Sequence, residues 1–411
     1  MSTTTTNNNI NTNVDNKVVN NNIDTNANNN SNIAVIGCGY VGLITGTVLA
    51  QQNHSRNFVF LDIDKDKIDN LKKCKHYIKE PLFAGYFDTL RNISLSTNYK
   101  DIKNANIIMI AIGAHRNDLT NLYSSIQHIN EYAQTNAIVI LLTTIEVGLT
   151  KSLSRTRFRY DLNVFHIPEF LTNGEAIASL MKPRRIVIGY TNYNTEAINQ
   201  LRNIYSYVSF DKIIITDSNT SEISKLSANT MLAQRISTIN AIETLCKEQN
   251  ANINDVSKIL RLDERIGTTY LFPSAGYGGK YFRNDVKNLS TISHDMWIKR
   301  YFDGINQINE YHMIKIADEI GNNKNVLFLG YCYKELTNDI HNSPTQFIID
   351  YLSSSTKYTI YDKHIPKYST LPQEHNFDIV VLINNEQEYV DLVNEYRITA
   401  KIIDPRHILD V

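Results

Sequence analysis

Residues 33–42 read Ile-Ala-Val-Ile-Gly-Cys-Gly-Tyr-Val-Gly, so four apolar residues run directly into a Gly-x-Gly-x-x-Gly motif. The apolar run predicts a buried strand, and the residues from Tyr40 onward predict a helix. In such a unit Gly37 permits the tight turn, Gly39 lets a pyrophosphate reach the backbone, and Gly42 lets helix and strand pack closely. Phosphates bind at the helix N-terminus, where free N–H groups and the helix dipole attract them. The segment therefore predicts a dinucleotide site at the start of an α/β lobe.

An acidic residue after the second predicted strand indicates which dinucleotide binds. Asp62 follows residues 58–61 and lies twenty positions after Gly42. A carboxylate in this place can accept a hydrogen bond from the ribose 2′-hydroxyl, and it would repel the 2′-phosphate of NADP. A glycine turn in a fold that binds another ligand is the alternative, and the acid argues against it. We therefore expect NAD as the cofactor.

Apolar strands alternate with helix-like segments over most of the chain, which is typical of parallel sheets covered by helices. The predicted strands are residues 33–36, 58–61, 107–112, 137–142 and 186–189, and then 326–329, 358–361, 379–383 and 401–403. Between the two series a helical pattern covers residues 221–249, with Leu232, Ile236, Ile239 and Leu245 near one stripe. A helix of that length spans roughly 40 Å. We expect an α/β protein with two Rossmann-like lobes, each with a parallel sheet, joined by a long central helix.

Changes in composition and pattern along the chain predict its domains. Residues 1–31 are mostly Asn and Thr, and such a segment buries too little apolar surface to offset chain entropy, so we expect a disordered tail. We predict a cofactor domain over 32–215, a central helical region over 216–310 and a second α/β domain over 311–411. The second domain opens with Gly-Tyr-Cys-Tyr at residues 330–333, without the glycine motif, and is expected to be Rossmann-like without being a dinucleotide site.

Bulk properties exclude several classes of protein. The net charge is −1, so no overall basic field would attract nucleic acid. The longest apolar run, near residues 107–112, is far too short to cross a membrane. The four cysteines are scattered without a Cys-x-x-Cys pair, which fits a reducing cytosol and gives no metal site. With no basic and apolar leader at the N-terminus, we expect a cytoplasmic protein.

Four further blocks of sequence follow the glycine segment in a fixed order. They are Pro168-Glu169-Phe170-Leu171 with Gly174 and Ala176, followed by Pro183-Arg184-Arg185-Ile186-Val187-Ile188-Gly189; Lys225-Leu226-Ser227-Ala228-Asn229 with Leu232-Ala233; Arg265-Ile266-Gly267, Pro273-Ser274 and Gly276-Tyr277-Gly278-Gly279; and Tyr333-Lys334, Thr337, Asp339-Ile340 and Ser343-Pro344. Together with the opening Gly-x-Gly-Tyr-Val-Gly-Leu, these blocks resemble the UDP-glucose and GDP-mannose dehydrogenases. The likeness covers the chain after residue 31, and its Tyr-Gly-Gly loop and length look more like the UDP-glucose branch than the UDP-ManNAc branch.

The resemblance implies an activity and a set of catalytic residues. The family oxidises a sugar C6 alcohol to a carboxylate in two NAD-linked hydride transfers. Glu169, Lys225, Asn229 and Asp285 match its acid–base and water-positioning residues. Lys225 and Asn229 are four apart on a helix and share a face, where a lysine can stabilise an alkoxide and an amide can hold a water. By spacing alone, a solvated helix lysine and an exposed loop acid remain the alternatives for Lys225 and Glu169.

The resemblance also assigns ligand contacts. Positions that match contacts to the UDP-sugar are Phe170, Leu171, Lys225, Tyr270, Leu271, Phe272, Pro273, Ser274, Gly278 and Lys334. Arg265 and Arg406 match arginines that reach its phosphates, one or both across a dimer interface, although Arg406 alone could be a surface arginine. Positions that match the cofactor site are Gly37, Gly39, Tyr40, Val41, Gly42, Asp62, Lys67, Thr144 and His341. The expected partners are a UDP-sugar, UDP-glucose first, and a second copy of the chain bound through the central region.

One departure from the family concerns its catalytic nucleophile. The family loop ends Gly-Gly-x-Cys-x-Pro-Lys-Asp, whereas residues 278–285 read Gly-Gly-Lys-Tyr-Phe-Arg-Asn-Asp, so Tyr281 stands where the cysteine would be. A thiolate traps the intermediate aldehyde as a thiohemiacetal, but a phenol with a pKa of about 10 is mostly protonated at neutral pH. Cys332 is the one cysteine that could substitute, and we expect it instead to be a small core residue. Further departures are Asn284 for a lysine, His341 for an arginine, Asn173 for a glutamate, Ala114-His115 for Thr-Pro, and Glu146 for a proline.

Two hypotheses about activity follow. The first is an oxidoreductase with altered chemistry, which stops at the aldehyde or oxidises the aldehyde hydrate with Asp285 positioning water. The second is a non-catalytic UDP-sugar-binding protein that pairs with an active homologue. The intact glycine turn, Lys225 and Asn229 favour the first, and Tyr281 with the altered cofactor positions favours the second.

Overall fold

The computed structural model describes residues 32–113, 118–335, 337–373, 376–396 and 399–409. The predicted disordered tail and the Ala114-His115 departure lie outside these residues. Within them, both predicted α/β lobes are present, and every strand that the sequence predicts is found.

The first lobe is built on an eight-stranded sheet. Its strands are β1 (Asn32–Ile36), β2 (Phe58–Leu61), β3 (Ile93–Ser96), β4 (Ala105–Ile110), β5 (Ile138–Leu141), β6 (Asn163–His166), β7 (Ile186–Tyr190) and β8 (Ile213–Asp217). Their order is β3-β2-β1-β4-β5-β6-β7-β8, and only the pair β6–β7 is antiparallel among these strands. Alternate residues of β1 enter two different core clusters, Ile33 and Val35 on one side and Ala34 and Ile36 on the other. The continuous apolar run is therefore that of a strand buried on both faces.

Helices cover both faces of this sheet. They are α1 (Tyr40–Gln52), α2 (Lys65–Lys72), α3 (Phe83–Phe87), α4 (Thr120–Tyr132), α5 (Leu149–Thr156), α6 (Ala176–Met181) and α7 (Thr195–Ile204). Three strands, β3, β6 and β8, were missing from the sequence prediction. β3 and β8 are edge strands without a buried residue: β3 alternates apolar and polar residues, and the apolar run of β8 stops after Ile215. β6 carries polar residues at both ends, so none of the three shows the longer apolar run of a central parallel strand.

The central region consists of α8 (Ser218–Gln249), α9 (Ile253–Leu262), α10 (Phe282–Ile292) and α11 (Met296–Ile320). The long helix α8 starts directly after β8, where the Asp217 side chain accepts a hydrogen bond from the Thr220 N–H. The predicted stripe was wrong at Leu245, which is 57% exposed. The buried face of α8 carries mostly small and polar residues instead, so hydrophobic spacing alone could not locate it.

The second lobe has a four-stranded parallel sheet. Its strands are β9 (Asn325–Leu329), β10 (Lys357–Tyr361), β11 (Ile379–Leu382) and β12 (Lys401–Ile403), in the order β10-β9-β11-β12, with helices α12 (Pro344–Tyr351) and α13 (Gln387–Tyr396). The fold is thus the predicted α/β class with two Rossmann-like sheets and a long central helix. In the described part of the chain, no helix combines the length and apolar character needed to span a membrane.

Candidate functional site

The glycine turn has the geometry that its three glycines predict. Gly37 has a φ of +97°, and a Cβ on it would lie 2.7 Å from the Ala111 carbonyl oxygen. A Cβ on Gly42 would lie 1.9 Å from the Gly37 carbonyl oxygen, so only glycine allows this approach of helix and strand. A Cβ on Gly39 would meet no atom within 4 Å. Helix α1 starts at the next residue without a side-chain cap, which leaves its first N–H groups open to an anion.

Asp62 lies beside this turn at the carboxyl edge of the sheet. Its carboxylate accepts hydrogen bonds from the N–H groups of Cys38, at 2.8 Å, and Asp64, at 3.0 Å. Lys67 places its Nζ 3.6 Å from Asp62 Oδ2, and Tyr77 donates its hydroxyl proton to the Cys38 carbonyl at 2.5 Å. The acid predicted to contact a ribose is therefore held next to the turn predicted to bind the pyrophosphate.

The remaining predicted cofactor positions are dispersed. Val41 is half-buried in the first turn of α1, and Thr144 follows β5 with a buried hydroxyl oxygen that has no hydrogen-bond partner among the described residues. His341 belongs to the second lobe and is half exposed, with its Nδ1 2.5 Å from Asp339 Oδ1. The structure thus brings Thr144 to the same sheet edge as the turn, but it leaves the His341 imidazole paired at the surface.

Lys225 and Glu169 form a buried pair between α8 and the segment after β6. Lys225 is 3% exposed and Glu169 is 8% exposed, so the alternatives of a solvated lysine and an exposed loop acid are both wrong. The ammonium Nζ donates to the Glu169 carbonyl oxygen at 2.5 Å and lies 3.5 Å from its Oε1. The other carboxylate oxygen accepts a hydrogen bond from the Leu171 N–H at 2.7 Å. A charged lysine is thereby fixed at one point of a largely enclosed site.

Asn229 and Asp285 meet across α8 and α10. The Asn229 Nδ2 donates to Asp285 Oδ2 at 2.6 Å, and Asp285 is buried. Burial raises the pKa of Asp285 to about 6; Glu169 raises it as well, while the Asn229 hydrogen bond and Lys225 lower it. The predicted face that Lys225 and Asn229 share is therefore turned towards a carboxyl group that can gain or lose a proton near neutral pH.

Tyr281 stands at the start of α10, one turn before Asp285. Its carbonyl oxygen accepts the Asp285 N–H at 2.8 Å, which is the first backbone hydrogen bond of α10. Burial raises the pKa of the Tyr281 phenol far above its ordinary value, and the charge of Glu169 raises it further. The phenol therefore stays protonated and has no nucleophilic anion to offer at neutral pH.

The C-terminal block packs on the glycine-rich loop of the central region. A Cβ on Gly279, whose φ is +82°, would lie 3.0 Å from the Tyr333 ring, and a Cβ on Gly278 would lie 2.9 Å from the Tyr333 Cβ. The Asn173 side-chain amide donates to the Tyr333 hydroxyl at 2.9 Å, and Lys334 Nζ donates to the Asn173 carbonyl at 3.0 Å. Three distant segments that each carry predicted substrate residues are thus brought together.

The other predicted substrate positions fall into two groups. Phe170 lies beside Lys225, with the Arg185 guanidinium 3.7 Å and Lys225 Nζ 5.2 Å from its ring centroid. In the loop over residues 270–274, Tyr270 has a φ of +62°, Leu271 and Pro273 are buried, Phe272 is exposed, and the Ser274 N–H donates to Asn240 Oδ1 at 3.0 Å. The Ser257 hydroxyl donates a hydrogen bond to the Leu271 carbonyl oxygen at 2.6 Å.

Neither of the two predicted phosphate-binding arginines lies with the group of Lys225, Glu169, Asn229 and Asp285. The Arg265 side chain is 89% exposed and is paired with Asp263. Arg406 is partly buried in the second lobe, where it pairs with Glu335 and donates to the Ile383 carbonyl at 3.3 Å.

Cys332 is a buried core residue, as expected, with its thiol donating to the Thr337 carbonyl at 2.9 Å and with a pKa raised by burial. A buried thiol that stays protonated is not a nucleophile at neutral pH.

One buried acid of the site, Glu80, was missed. Its carboxylate accepts hydrogen bonds from the Tyr40 hydroxyl at 2.6 Å and from the N–H groups of Gly174, at 2.9 Å, and Ala176, at 2.6 Å. A single glutamate before a proline carries no local sign of burial, and its partners are 40 to 96 positions away along the chain.

Comparison with known proteins agrees with this geometry. Residues 31–209 match the NAD-binding domain model of the UDP-glucose/GDP-mannose dehydrogenase family, and residues 219–311 match its central domain model. The prediction of NAD is thereby confirmed.

Individual relatives carry the same family name. The UDP-glucose 6-dehydrogenase of Rickettsia conorii is 30% identical over 92% of this chain and 96% of its own length, and that of Gallus gallus is 30% identical over 82% and 74%. A UDP-glucose dehydrogenase structure from Pyrobaculum islandicum has a TM-score of 0.80 at 20% identity and covers 92% of this chain and 94% of its own. A UDP-D-ManNAc dehydrogenase structure from Pyrococcus horikoshii has a TM-score of 0.78 at 23% identity, over 92% and 96%. The chain belongs to the UDP-glucose/GDP-mannose dehydrogenase family of NAD-dependent oxidoreductases.

Proposed function

We propose that this protein removes a hydride from C6 of UDP-glucose and releases the product at the aldehyde level. The observation that carries the proposal is the buried cluster of Lys225, Glu169, Asn229 and Asp285 around a loop whose nucleophile position holds Tyr281. The four polar groups suit proton transfer and stabilisation of an oxyanion. The protonated phenol cannot add to the aldehyde, so the covalent intermediate that a thiolate would provide for the second oxidation does not form.

Each residue has a definable task in this reaction. NAD, held by Gly37, Gly39 and Asp62, supplies the hydride acceptor. Lys225 stabilises the C6 oxygen as its proton leaves, because its ammonium is fixed and largely dehydrated. Asn229 orients the Asp285 carboxyl group, which takes up the proton when it is ionised. The alcohol thereby loses a hydride and a proton and becomes an aldehyde.

The rest of the chain supplies binding and assembly in this proposal. Residues 311–411 hold the UDP group with Lys334 and Arg406, together with the segment that carries Phe170 and Leu171. The central region, residues 216–310, forms a homodimer, which is supported by exposed apolar side chains on α8, α9 and α11, namely Met231, Leu245, Ile259, Leu262 and Trp297. Light scattering that gives the mass of a single chain at micromolar concentration would contradict the dimer.

NADH formation tests the activity. Purified protein with UDP-glucose and NAD should form one NADH for each UDP-glucose consumed, and a hydrazine should trap an aldehyde. Two NADH with a carboxylate product would mean that the aldehyde hydrate is also oxidised, with Asp285 holding the attacking water. If no NADH forms above background, the proposed activity is wrong.

A non-catalytic UDP-sugar-binding role is the second candidate. It is favoured by the His341 imidazole, which is paired with Asp339 and half exposed, and by the protonated Tyr281. Calorimetry then decides: UDP-glucose binding without NADH formation supports this role, and no binding excludes it.

Replacement of the tyrosine separates the lost nucleophile from the rest of the site. Tyr281→Cys should give two NADH for each UDP-glucose, because a thiol at this position can add to the aldehyde and form the thiohemiacetal. Tyr281→Ser is the matched control, since it removes the ring without supplying a thiolate and should still give one NADH. Nucleophile loss typically costs about 10³-fold or more in rate, so the difference is large. Equal stoichiometry in both variants would show that Tyr281 does not decide the outcome.

Asp285 should set the acidic limb of the pH profile. Because burial raises its pKa to about 6, its carboxylate forms only as the pH rises through that value, and kcat/KM should rise with it. Asp285→Asn should lower kcat/KM by about 10²-fold or more and remove this limb. An unchanged limb in the Asn variant would assign the titration to another group.

A further inference from the structure

Glu80 is a buried carboxylate that the proposed reaction does not use. It lies in the segment between α2 and α3, and among the described residues no lysine or arginine is paired with it. Its two oxygens are satisfied instead by three neutral donors. Because a buried charge without partners is costly, such an arrangement persists only where the donors hold it firmly, and the carboxylate in turn fixes the donors.

The three donors belong to two different sites. Oε2 accepts both the Tyr40 hydroxyl, from the first turn of the cofactor helix α1, and the Gly174 N–H; Oε1 accepts the Ala176 N–H. Gly174 and Ala176 follow directly on the segment that carries Glu169 and Leu171 of the proposed sugar site. One carboxylate therefore joins the start of the cofactor helix to the end of the sugar-nucleotide segment.

The same segment continues the connection to the second lobe. Asn173, the neighbour of Gly174, donates to the Tyr333 hydroxyl at 2.9 Å and accepts from Lys334 Nζ at 3.0 Å. The pKa of the Tyr40 phenol is raised by burial and by Glu80, so Tyr40 remains a donor at all ordinary pH values. Cofactor helix, sugar segment and second lobe are thus linked through consecutive hydrogen bonds.

We propose that Glu80 is a positioning residue that couples the cofactor site to the sugar-nucleotide site, so that occupation of either site orders residues 171–176 and strengthens binding at the other. The proposal rests on the proposed function, because it assigns NAD to the turn at α1 and UDP-glucose to the segment after Pro168. Coupling of this kind is reciprocal and is measured as a change in one ligand's affinity caused by the other.

Calorimetry with NADH and UDP-glucose measures the coupling without turnover, since NADH cannot accept a hydride. In the unchanged protein, saturating NADH should tighten UDP-glucose binding by about fivefold or more. Glu80→Gln places an amide NH₂ against an N–H donor, and it should reduce this factor to below about twofold. Tyr40→Phe removes only the link to α1 and should reduce the factor too. Glu196→Gln, an exposed charge change on α7, should leave it unaltered.

Hydrogen exchange on the ligand-free protein gives a second measurement that does not depend on the substrate. Exchange at the Gly174 and Ala176 amides should be about tenfold faster or more in Glu80→Gln than in Glu196→Gln. Full coupling in both Glu80→Gln and Tyr40→Phe would overturn the positioning role while leaving the proposed function intact. If the unchanged protein binds neither ligand, both the function and the coupling are wrong.

Discussion

The first turns of the two lobes have the same backbone design and different surroundings. Each lobe places its first strand beside its second, with a later strand on the other side: β2-β1-β4-β5 in one lobe and β10-β9-β11-β12 in the other. Each first strand ends at a glycine in the left-handed region, Gly37 with a φ of +97° and Gly330 with a φ of +107°. Both turns occupy the carboxyl edge of their sheet, where ligands of open α/β sheets bind.

An aspartate after the second strand supports each turn. Asp62 accepts the Cys38 N–H at 2.8 Å, and Asp362 accepts the N–H groups of Tyr331 and Cys332 at 2.6 and 2.8 Å. Asp62 is 9% exposed and Asp362 is 0% exposed. The acid is therefore part of the turn in both lobes, and only the acid of the first lobe keeps some surface exposed to solvent.

The helix that follows distinguishes the two turns more sharply. In the first lobe α1 begins immediately after Gly39 without a side-chain cap. In the second, α12 begins only at Pro344, and the Ser343 hydroxyl accepts the Gln346 N–H at 3.3 Å. A dinucleotide site thus needs an open second glycine and a free helix start in addition to the strand, the glycine and the acid that both lobes share.

Alanine at the glycines of the first turn should separate packing from cofactor binding, with the largest effect at Gly42. The new Cβ would lie 1.9 Å from the Gly37 carbonyl oxygen, so α1 must move, and we expect the free energy of unfolding to fall by about 3 kcal/mol. At Gly39 the Cβ meets no atom within 4 Å, so the cost should stay below about 1 kcal/mol, while NAD affinity falls about tenfold or more because the pyrophosphate approach is blocked.

Urea unfolding and NAD titration of both variants provide the measurements. A Gly39→Ala protein that binds NAD normally would show that the second glycine is not the point of cofactor approach. A Gly42→Ala protein of normal stability would show that helix and strand can separate without loss.

Replacing Asp62 and Asp362 with asparagine should separate protein stability from dinucleotide binding. Asp362→Asn is expected to lower the free energy of unfolding by about 2 kcal/mol, because a fully buried charged acceptor of several N–H groups is lost, and to leave NAD affinity unchanged. Asp62→Asn should cost about 1 kcal/mol and weaken discrimination against NADP. Thermal unfolding and titration with both dinucleotides check this, and a loss of NAD binding on substitution of Asp362 would contradict it.

Features with a local cause could be predicted from the sequence. The glycine turn and Asp62 depend on neighbouring residues and a strand of continuous apolar character, and both lie where the pattern placed them. Strands β3, β6 and β8 lack an apolar run of that length and were missed. The spacing of Lys225 and Asn229 predicts that they share one helix face. That Glu169 and Asp285 belong to the same site could be predicted only from the resemblance to the family. Glu80 could not be found, since its three partners come from distant parts of the chain.

The cysteines of the two turns give the smallest expected effect. Burial raises the pKa of Cys38 to about 12, with Asp62 adding to the shift, and burial followed by Asp362 raises the pKa of Cys332 as well. Because the thiolate is the reactive form, neither should be alkylated by iodoacetamide in the native protein at pH 8, whereas exposed Cys74 should react.

Raising the pH from 8 to 9 should speed the labelling of Cys74, since its thiolate fraction grows, and should leave the two turn cysteines unlabelled because their pKa values lie above that range. Unfolding in guanidinium exposes all of them and serves as the control, and peptide mass spectrometry identifies each site. Selective labelling of Cys38 in the folded protein would show that the first turn opens to solvent around its buried side chain as well as at Gly39. The two turns would then differ in the stability of their backbone as well as in access to a ligand, and the shared design of glycine and aspartate would no longer explain both.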